Sequence, residues 1–179
     1  MKISIIGYCG AGKSTLAAQL GQMLGTAVLH LDRVHWLAGW KARAREESAA
    51  IVETFLRENA SGWVIDGNYT NLCYEQRMKE SDLIIFLNFP RRICLPRVLR
   101  RKMQYNGRSR ESMTEGCEEK IDLEFLLWVL IYGRDKKKRA QYANLKKQYS
   151  DRFVELCNPK EVARFQETLR VRIERGERT

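Results

Sequence analysis

Residues 1–16, MKISIIGYCGAGKSTL, decide the reading of this chain. Ile3, Ile5 and Ile6 make a short β-branched apolar run, which predicts a strand over Lys2–Ile6. Gly7-Tyr8-Cys9-Gly10-Ala11-Gly12-Lys13-Ser14 follows at once and satisfies G-x-x-x-x-G-K-[ST] at every fixed position. A helical pattern then runs from Ser14 to Leu24, with Leu16, Leu20, Met23 and Leu24 on one face, and Gly25 stops it. Strand, glycine turn and helix together are the setting of a phosphate-binding loop. Gly7, Gly10 and Gly12, with Ala11 between them, let the backbone curl so that successive N–H groups face an anion. The new helix, through Thr15, adds its positive N-terminal end. Lys13 is placed to reach the β- and γ-phosphates, and the Ser14 hydroxyl to ligate Mg²⁺. Cys9 occupies a variable position of the loop and reads as a tolerated side chain rather than a catalytic thiol.

Working outward, Ala27-Val28-Leu29-His30-Leu31 reads as a second buried strand with Asp32 just past its end. Asp32 to Trp40 reads as a loop carrying two tryptophans, followed by a helix over Ala42–Asn59. Trp63-Val64-Ile65 is a third strand ending in Asp66-Gly67-Asn68-Tyr69, and a short helix over Leu72–Lys79 leads to Leu83–Leu87. That fourth strand is apolar on both faces, as a central parallel strand should be. Pro90 can open the next helix, whereas Pro96 predicts a kink or a late start. Gln104–Lys120 is polar and reads as a mobile loop; an apolar helix from Ile121 then passes into the basic stretch Arg134–Lys147. Phe153–Leu156 is a fifth strand. Asn158-Pro159-Lys160-Glu161 starts the last helix, with Asn158 as cap and Glu161 completing a capping box.

Alternating β and α segments with short connections, and no internal repeat or linker, predict one doubly wound α/β domain over residues 1–179. The predicted fold is a five-stranded parallel sheet with helices on both faces. Ligands of such sheets bind at the carboxyl ends of the strands, where Asp32, Asp66 and the glycine loop all fall. Asp32 is placed to hold or deprotonate a substrate hydroxyl. Asp66 is placed to hold Mg²⁺ through water. The alternative for each is a cap or loop carboxylate.

The 179 residues carry a net charge of +10, concentrated in two segments. Residues 91–110 hold eight Arg and Lys and no acid; residues 134–147 hold seven basic residues and Asp135. They either clamp a polyanionic ligand such as a nucleoside triphosphate or attract nucleic acid. No apolar run approaches the roughly 18 residues of a membrane span. Five scattered cysteines, no C-x-x-C pair and no signal-like segment lead to the expectation of reduced thiols in a cytoplasm.

Taken together, the segments GYCGAGKST at 7–15, HLDRVHW at 30–36, VIDGNY at 64–69, IIFLNFPRRICLPRVLRR at 84–101 and the stretch 104–139 resemble the adenylate-kinase-like P-loop kinases. The resemblance is closest to the branch labelled DNA topology modulation or FlaR-like proteins, and spans nearly the whole chain. It implies a P-loop NTPase fold of nucleoside- or nucleotide-kinase type, with ATP and Mg²⁺ as cofactors and a helical lid over about 104–139. Arg97 and Arg101 match the R-x-x-x-R pair after the fourth strand, one near adenine and one on phosphate. Arg134 and Arg139 fall where lid arginines approach the transferred phosphoryl group, and Asn158-Pro159 where adenine is held. Asn68 and Trp36 fall on the substrate side, where Trp36 and Trp40 could stack on a planar acceptor or pack as core. Arg100, Lys102 and Lys136 to Lys138 read as a solvated basic face.

Two departures stand out. The order Asp66-Gly67-Asn68-Tyr69-Thr70 lacks the arginine that binds an acceptor phosphate in monophosphate kinases, and Asn88 stands where relatives carry an acid. The expectation is an ATP- and Mg²⁺-dependent phosphotransferase, of small-molecule or nucleoside/nucleotide kinase type, whose acceptor the sequence does not name. A nucleic-acid-associated ATP-binding protein and a non-catalytic nucleotide-binding regulator are the alternatives.

Overall fold

The computed structural model describes residues 1–176 apart from 106, 108, 111 and 119–121. Arg108 of the first basic segment and Ile121, the expected helix start, lie outside the described residues. The strands are β1 (Lys2–Gly7), β2 (Ala27–His30), β3 (Trp36–Leu37), β4 (Lys41–Ala42), β5 (Trp63–Asp66), β6 (Leu83–Leu87) and β7 (Phe153–Leu156). The helices are α1 (Lys13–Leu24), α2 (Leu31–His35), α3 (Arg45–Glu58), α4 (Tyr74–Glu80), α5 (Arg91–Gln104), α6 (Leu123–Leu130), α7 (Lys136–Gln148) and α8 (Pro159–Glu174), with 3₁₀ turns at Ala38–Trp40 and Tyr132–Arg134.

Five strands form one parallel sheet in the order β2-β5-β1-β6-β7, the doubly wound P-loop arrangement. The central strands are apolar on both sides: Ile3, Ile5, Val64, Ile65, Ile84 and Ile85 are all fully buried. The register His30↔Asp66 and Ile5↔Asp66 brings the ends of β2, β5 and β1 level, so the residues that follow these strands share one edge. One core joins the middle of the sheet to Leu16 and Leu20 of α1 and Leu169 of α8; a second joins Val52 and Leu56 of α3 to Leu31, Trp63 and Leu72. Gly21 lets α1 approach β2, because a Cβ there would sit 2.1 Å from Val28 Cγ2.

Several expectations are corrected. The second strand stops at His30, and Leu31–His35 turns into a helix that buries Leu31 and Val34. The Asp32–Trp40 segment is therefore not a loop: after α2 it forms an antiparallel hairpin, with Trp36 paired to Ala42 and Leu37 to Lys41. Because β4 claims Lys41 and Ala42, α3 starts at Arg45 rather than Ala42. Cys73 takes a left-handed backbone (φ 48°), which delays α4 to Tyr74. Helix α5 begins directly after Pro90 and continues through Pro96, so there is no late start; Cys94 and Val98, both fully buried, hold its inner face.

The apolar helix does not run on into the basic stretch. The chain breaks at Ile131 and makes a 3₁₀ turn, and α7 restarts with the Asp135 carboxylate capping Lys138 N at 2.7 Å. The expected free loop after Gln104 is packed over its described part: Met113 is 4% exposed and Cys117 1%. It grips the β3–β4 hairpin. Thr114 Oγ1 donates to Trp36 O at 2.5 Å, Cys117 Sγ to Leu37 O at 3.1 Å, Gly39 N to Gly116 O at 3.0 Å and Trp40 Nε1 to Glu118 O at 2.9 Å.

Candidate active site

The glycine loop leaves β1 and enters α1 with Gly7, Gly10 and Gly12 at φ of 144°, 79° and 96°. Gly10 needs both its backbone and its bareness, since a Cβ would lie 2.7 Å from Cys94 O and 2.8 Å from Val98 Cγ2. Tyr8, 6% exposed, anchors the loop from beneath. Its ring meets Phe86 and Tyr142 edge-on, each at 5.7 Å, and the Arg134 guanidinium lies over it at 3.7 Å. Burial pushes the Tyr8 phenol up in pKa, against the lowering pull of Arg134. Lys13 Nζ is folded back on the loop, donating to Gly7 O at 3.1 Å and Tyr8 O at 3.3 Å.

The end of β5 meets this loop. Asp66 is 4% exposed, and its Oδ2 accepts from Ser14 Oγ at 2.8 Å. Its Oδ1 pairs with His30 Nδ1, from the end of the neighbouring strand. A serine that donates its proton to a carboxylate keeps its oxygen lone pairs for a cation, so the Ser14–Asp66 pair has the chemistry of a hard-cation site. Among the described residues there is no cluster of three or more His, Cys, Asp or Glu side chains to hold a metal by themselves. Asn68, expected on the substrate side, bonds both backbone groups of Gly7 and also lines the cavity described below.

Asp32, on the first turn of α2, has its Oδ1 bonded by the Tyr69 hydroxyl at 2.8 Å. The Tyr69 ring is stacked beside His35 (4.7 Å), which touches Trp36 (4.6 Å), which in turn meets Trp40 (5.5 Å). Burial first, and then the Asp32 charge, hold the Tyr69 phenol far above its usual pKa. The turn carrying Asn68 and Tyr69 is pinned by Arg77, whose side chain is fully buried. Arg77 donates to Tyr69 O (2.7 Å) and Leu72 O (2.8 Å), and burial lowers its pKa to about 10.

A cavity of about 1870 Å³ joins these parts: Gly10–Thr15, Asp32, Trp36, Trp40, Tyr69 and Arg97 all line it. Arg97 Nη1 donates to Ala11 O at 3.2 Å, and Arg101 lies 6.0 Å from the Phe125 ring centroid. Arg134 is nearly buried, with Nη2 on Phe89 O (2.8 Å) and Cys94 Sγ (3.2 Å). Arg139 is exposed and outside the lining. Pro159 lines the cavity, but Asn158 spends its side chain on the α8 cap, accepting from Glu161 N at 3.1 Å.

Sequence reasoning missed three participants: His30, Tyr8 and Lys138. Lys138 had read as part of a solvated face; it lies 3.7 Å from the Trp128 ring centroid on the cavity wall, and burial lowers its pKa. The HLD and DGNY spacings were the available signal for His30, because both segments end neighbouring strands.

No helix among the described residues is long and apolar enough to cross a membrane. A family model described as an AAA domain matches residues 3–119. The uncharacterised protein YqaC of Bacillus subtilis (strain 168) is 31% identical over 143 residues, 77% of this chain and 78% of that protein. An uncharacterised protein from Eubacterium ventriosum ATCC 27560 has a similar solved structure, with a TM-score of 0.51 and 16% identity over 99% of this chain and 98% of that one. Deoxyadenosine kinase from M. mycoides with bound dATP gives a TM-score of 0.48 at 17% identity over 94% of this chain and 99% of that one. By the extent of the family match, this chain is a member of the family described as an AAA domain.

Proposed function

We propose that this protein is an ATP- and Mg²⁺-dependent phosphotransferase whose acceptor is a small hydroxyl compound. One observation carries the reading: the glycine loop and the Asp32–Tyr69 pair, from different strand ends, open into the same cavity. A phosphate donor and a hydroxyl acceptor need that juxtaposition; a nucleotide-controlled switch does not. In this reading the triphosphate lies on the N–H groups of residues 10–15, and Lys13 swings from Gly7 O and Tyr8 O to the β- and γ-phosphates. Ser14 and Asp66 would hold Mg²⁺, which neutralises charge on the phosphate oxygens. Arg97, Arg101 and Arg134, with Arg139 closing from α7, supply the cationic wall on which phosphoryl transfer depends.

Tyr69 occupies one oxygen of Asp32, leaving Oδ2 for the acceptor hydroxyl. Asp32 then orients that hydroxyl and accepts its proton as the new O–P bond forms. Trp36 and Trp40 offer flat apolar surface for the acceptor body. Adenine would sit against Pro159 and the start of α8. The stretch 104–139 acts as the lid of a single domain.

The test is a single-turnover reaction with γ-labelled ATP against a panel of nucleosides and hydroxylated metabolites. Label should move to at least one acceptor. Lys13→Ala should weaken ATP binding at least tenfold by calorimetry and abolish transfer. Binding of ATP without transfer to any acceptor would make the protein a regulator instead.

A further inference from the structure

Asn68 makes two hydrogen bonds to one residue. Its Oδ1 accepts from Gly7 N at 3.0 Å and its Nδ2 donates to Gly7 O at 2.7 Å. A side-chain amide presents the same donor and acceptor as a peptide unit. The β1–β5 ladder is thereby carried past its last backbone pairs, after Gly67 N has bonded Ile5 O at 3.1 Å. Gly7 is held from the other side as well. Its neighbour Tyr8 donates to Leu87 O at 3.3 Å, and a Cβ on Gly7 would lie 2.5 Å from that same oxygen. The first residue of the glycine loop is thus fixed between β5 and β6.

Gly7 O is also one of the two carbonyls that hold Lys13 Nζ. If Lys13 is to reach a phosphate, it must let go of that oxygen. An abandoned, part-buried carbonyl is costly unless another donor remains. Asn68 Nδ2 is that donor, already in place at the shorter distance.

We propose that Asn68 is a positioning residue of the triphosphate site. It keeps Gly7 O satisfied when Lys13 leaves for the phosphate. This rests on the reading of the cavity as a nucleoside-triphosphate site.

The test uses the full chain, with ATP and ADP as ligands in isothermal calorimetry. Two variants are compared, Asn68→Ala and Asn68→Asp. The aspartate can still accept from Gly7 N, but it cannot donate to Gly7 O, and its charge draws Lys13 back from the phosphate. Affinity for ATP should fall about tenfold in Asn68→Ala and further in Asn68→Asp. In a Lys13→Ala background the aspartate should cost less than twofold, because the lysine it competes for is gone. A purely structural role would weaken binding equally in both backgrounds, and that additive result overturns the proposal. So does wild-type affinity in Asn68→Asp, or loss of the folded melting transition in both variants. If the unaltered protein binds neither ATP nor ADP, the triphosphate reading itself fails and takes this proposal with it.

Discussion

Tyr69 shows how much of this site depends on a single phenol. It caps one oxygen of the carboxylate proposed to receive the acceptor. Tyr69→Phe removes that donor and keeps the ring beside His35. ATP affinity should stay within about twofold, while the transfer rate at saturating ATP falls about tenfold, the usual scale for losing an orienting hydrogen bond to a charged group. The pH dependence follows from the direction of the Tyr69 shift. A phenol whose folded pKa is raised above its unfolded value of 10 contributes stability through its neutral form, present below about pH 10 and lost only above it. Neither stability nor transfer should therefore lose the Tyr69–Asp32 contact between pH 6 and 9, and a pH–rate profile checks this. Any alkaline limb in that window belongs to another group.

At the scale of elements, the turn after β5 joins the two halves of the site: Asn68 faces the glycine loop, and Tyr69 faces Asp32. Arg77 of α4 holds that turn by two carbonyls, with no carboxylate partner among the described residues. Arg77→Met keeps the length of the side chain but strands Leu72 O and Tyr69 O. It should destabilise the protein by about 1–3 kcal/mol, read as a lower denaturant midpoint at an unchanged slope.

This arrangement also explains what could be read in advance. β6 was legible to the residue because a buried parallel strand is an apolar run bounded by polar residues, and β7, at the sheet edge, was legible although Glu155 interrupts its apolar residues. The α8 start was legible because cap, proline and glutamate lie within four residues and act locally. The hairpin at 36–42 was not. Its strands are two residues each, and its partner segment lies some eighty residues further on, a relation that no local pattern encodes. The bonds of Asn68 to Gly7 were hidden for the same reason: that partner is set by the sheet and not by the spacing of the motif.

Across the whole molecule, the strand order puts β2, β5 and β1 side by side, so Asp32, Asp66 and the glycine loop meet although they are spread over sixty residues. Two excursions then cover that edge and grip each other, the hairpin from one side and residues 113–118 from the other. The contact is a unit of its own, separate from the cores beneath the sheet. Thr114→Val deletes the hydroxyl that bonds Trp36 O. Amide hydrogen exchange should then rise together in residues 36–42 and 113–118, with the strands of the main sheet unchanged; a rise in only one of the two segments would show that they do not move as one. The basic segments take on a corresponding meaning: Arg97, Arg101, Arg134 and Lys138 line the interior of this covered cavity.

The most direct measurement is single-turnover phosphoryl transfer by Asp32→Asn beside the unaltered protein, with γ-labelled ATP and an acceptor found active in the panel. The substitution keeps the shape and the Tyr69 contact but removes the carboxylate that receives the acceptor proton. ATP affinity should be unchanged within about twofold, and the rate of label transfer should fall at least 100-fold, the scale of losing a positioned base. Equal transfer rates for the two proteins would contradict the assignment of Asp32 and, with it, the reading of this cavity as a donor site facing a hydroxyl acceptor.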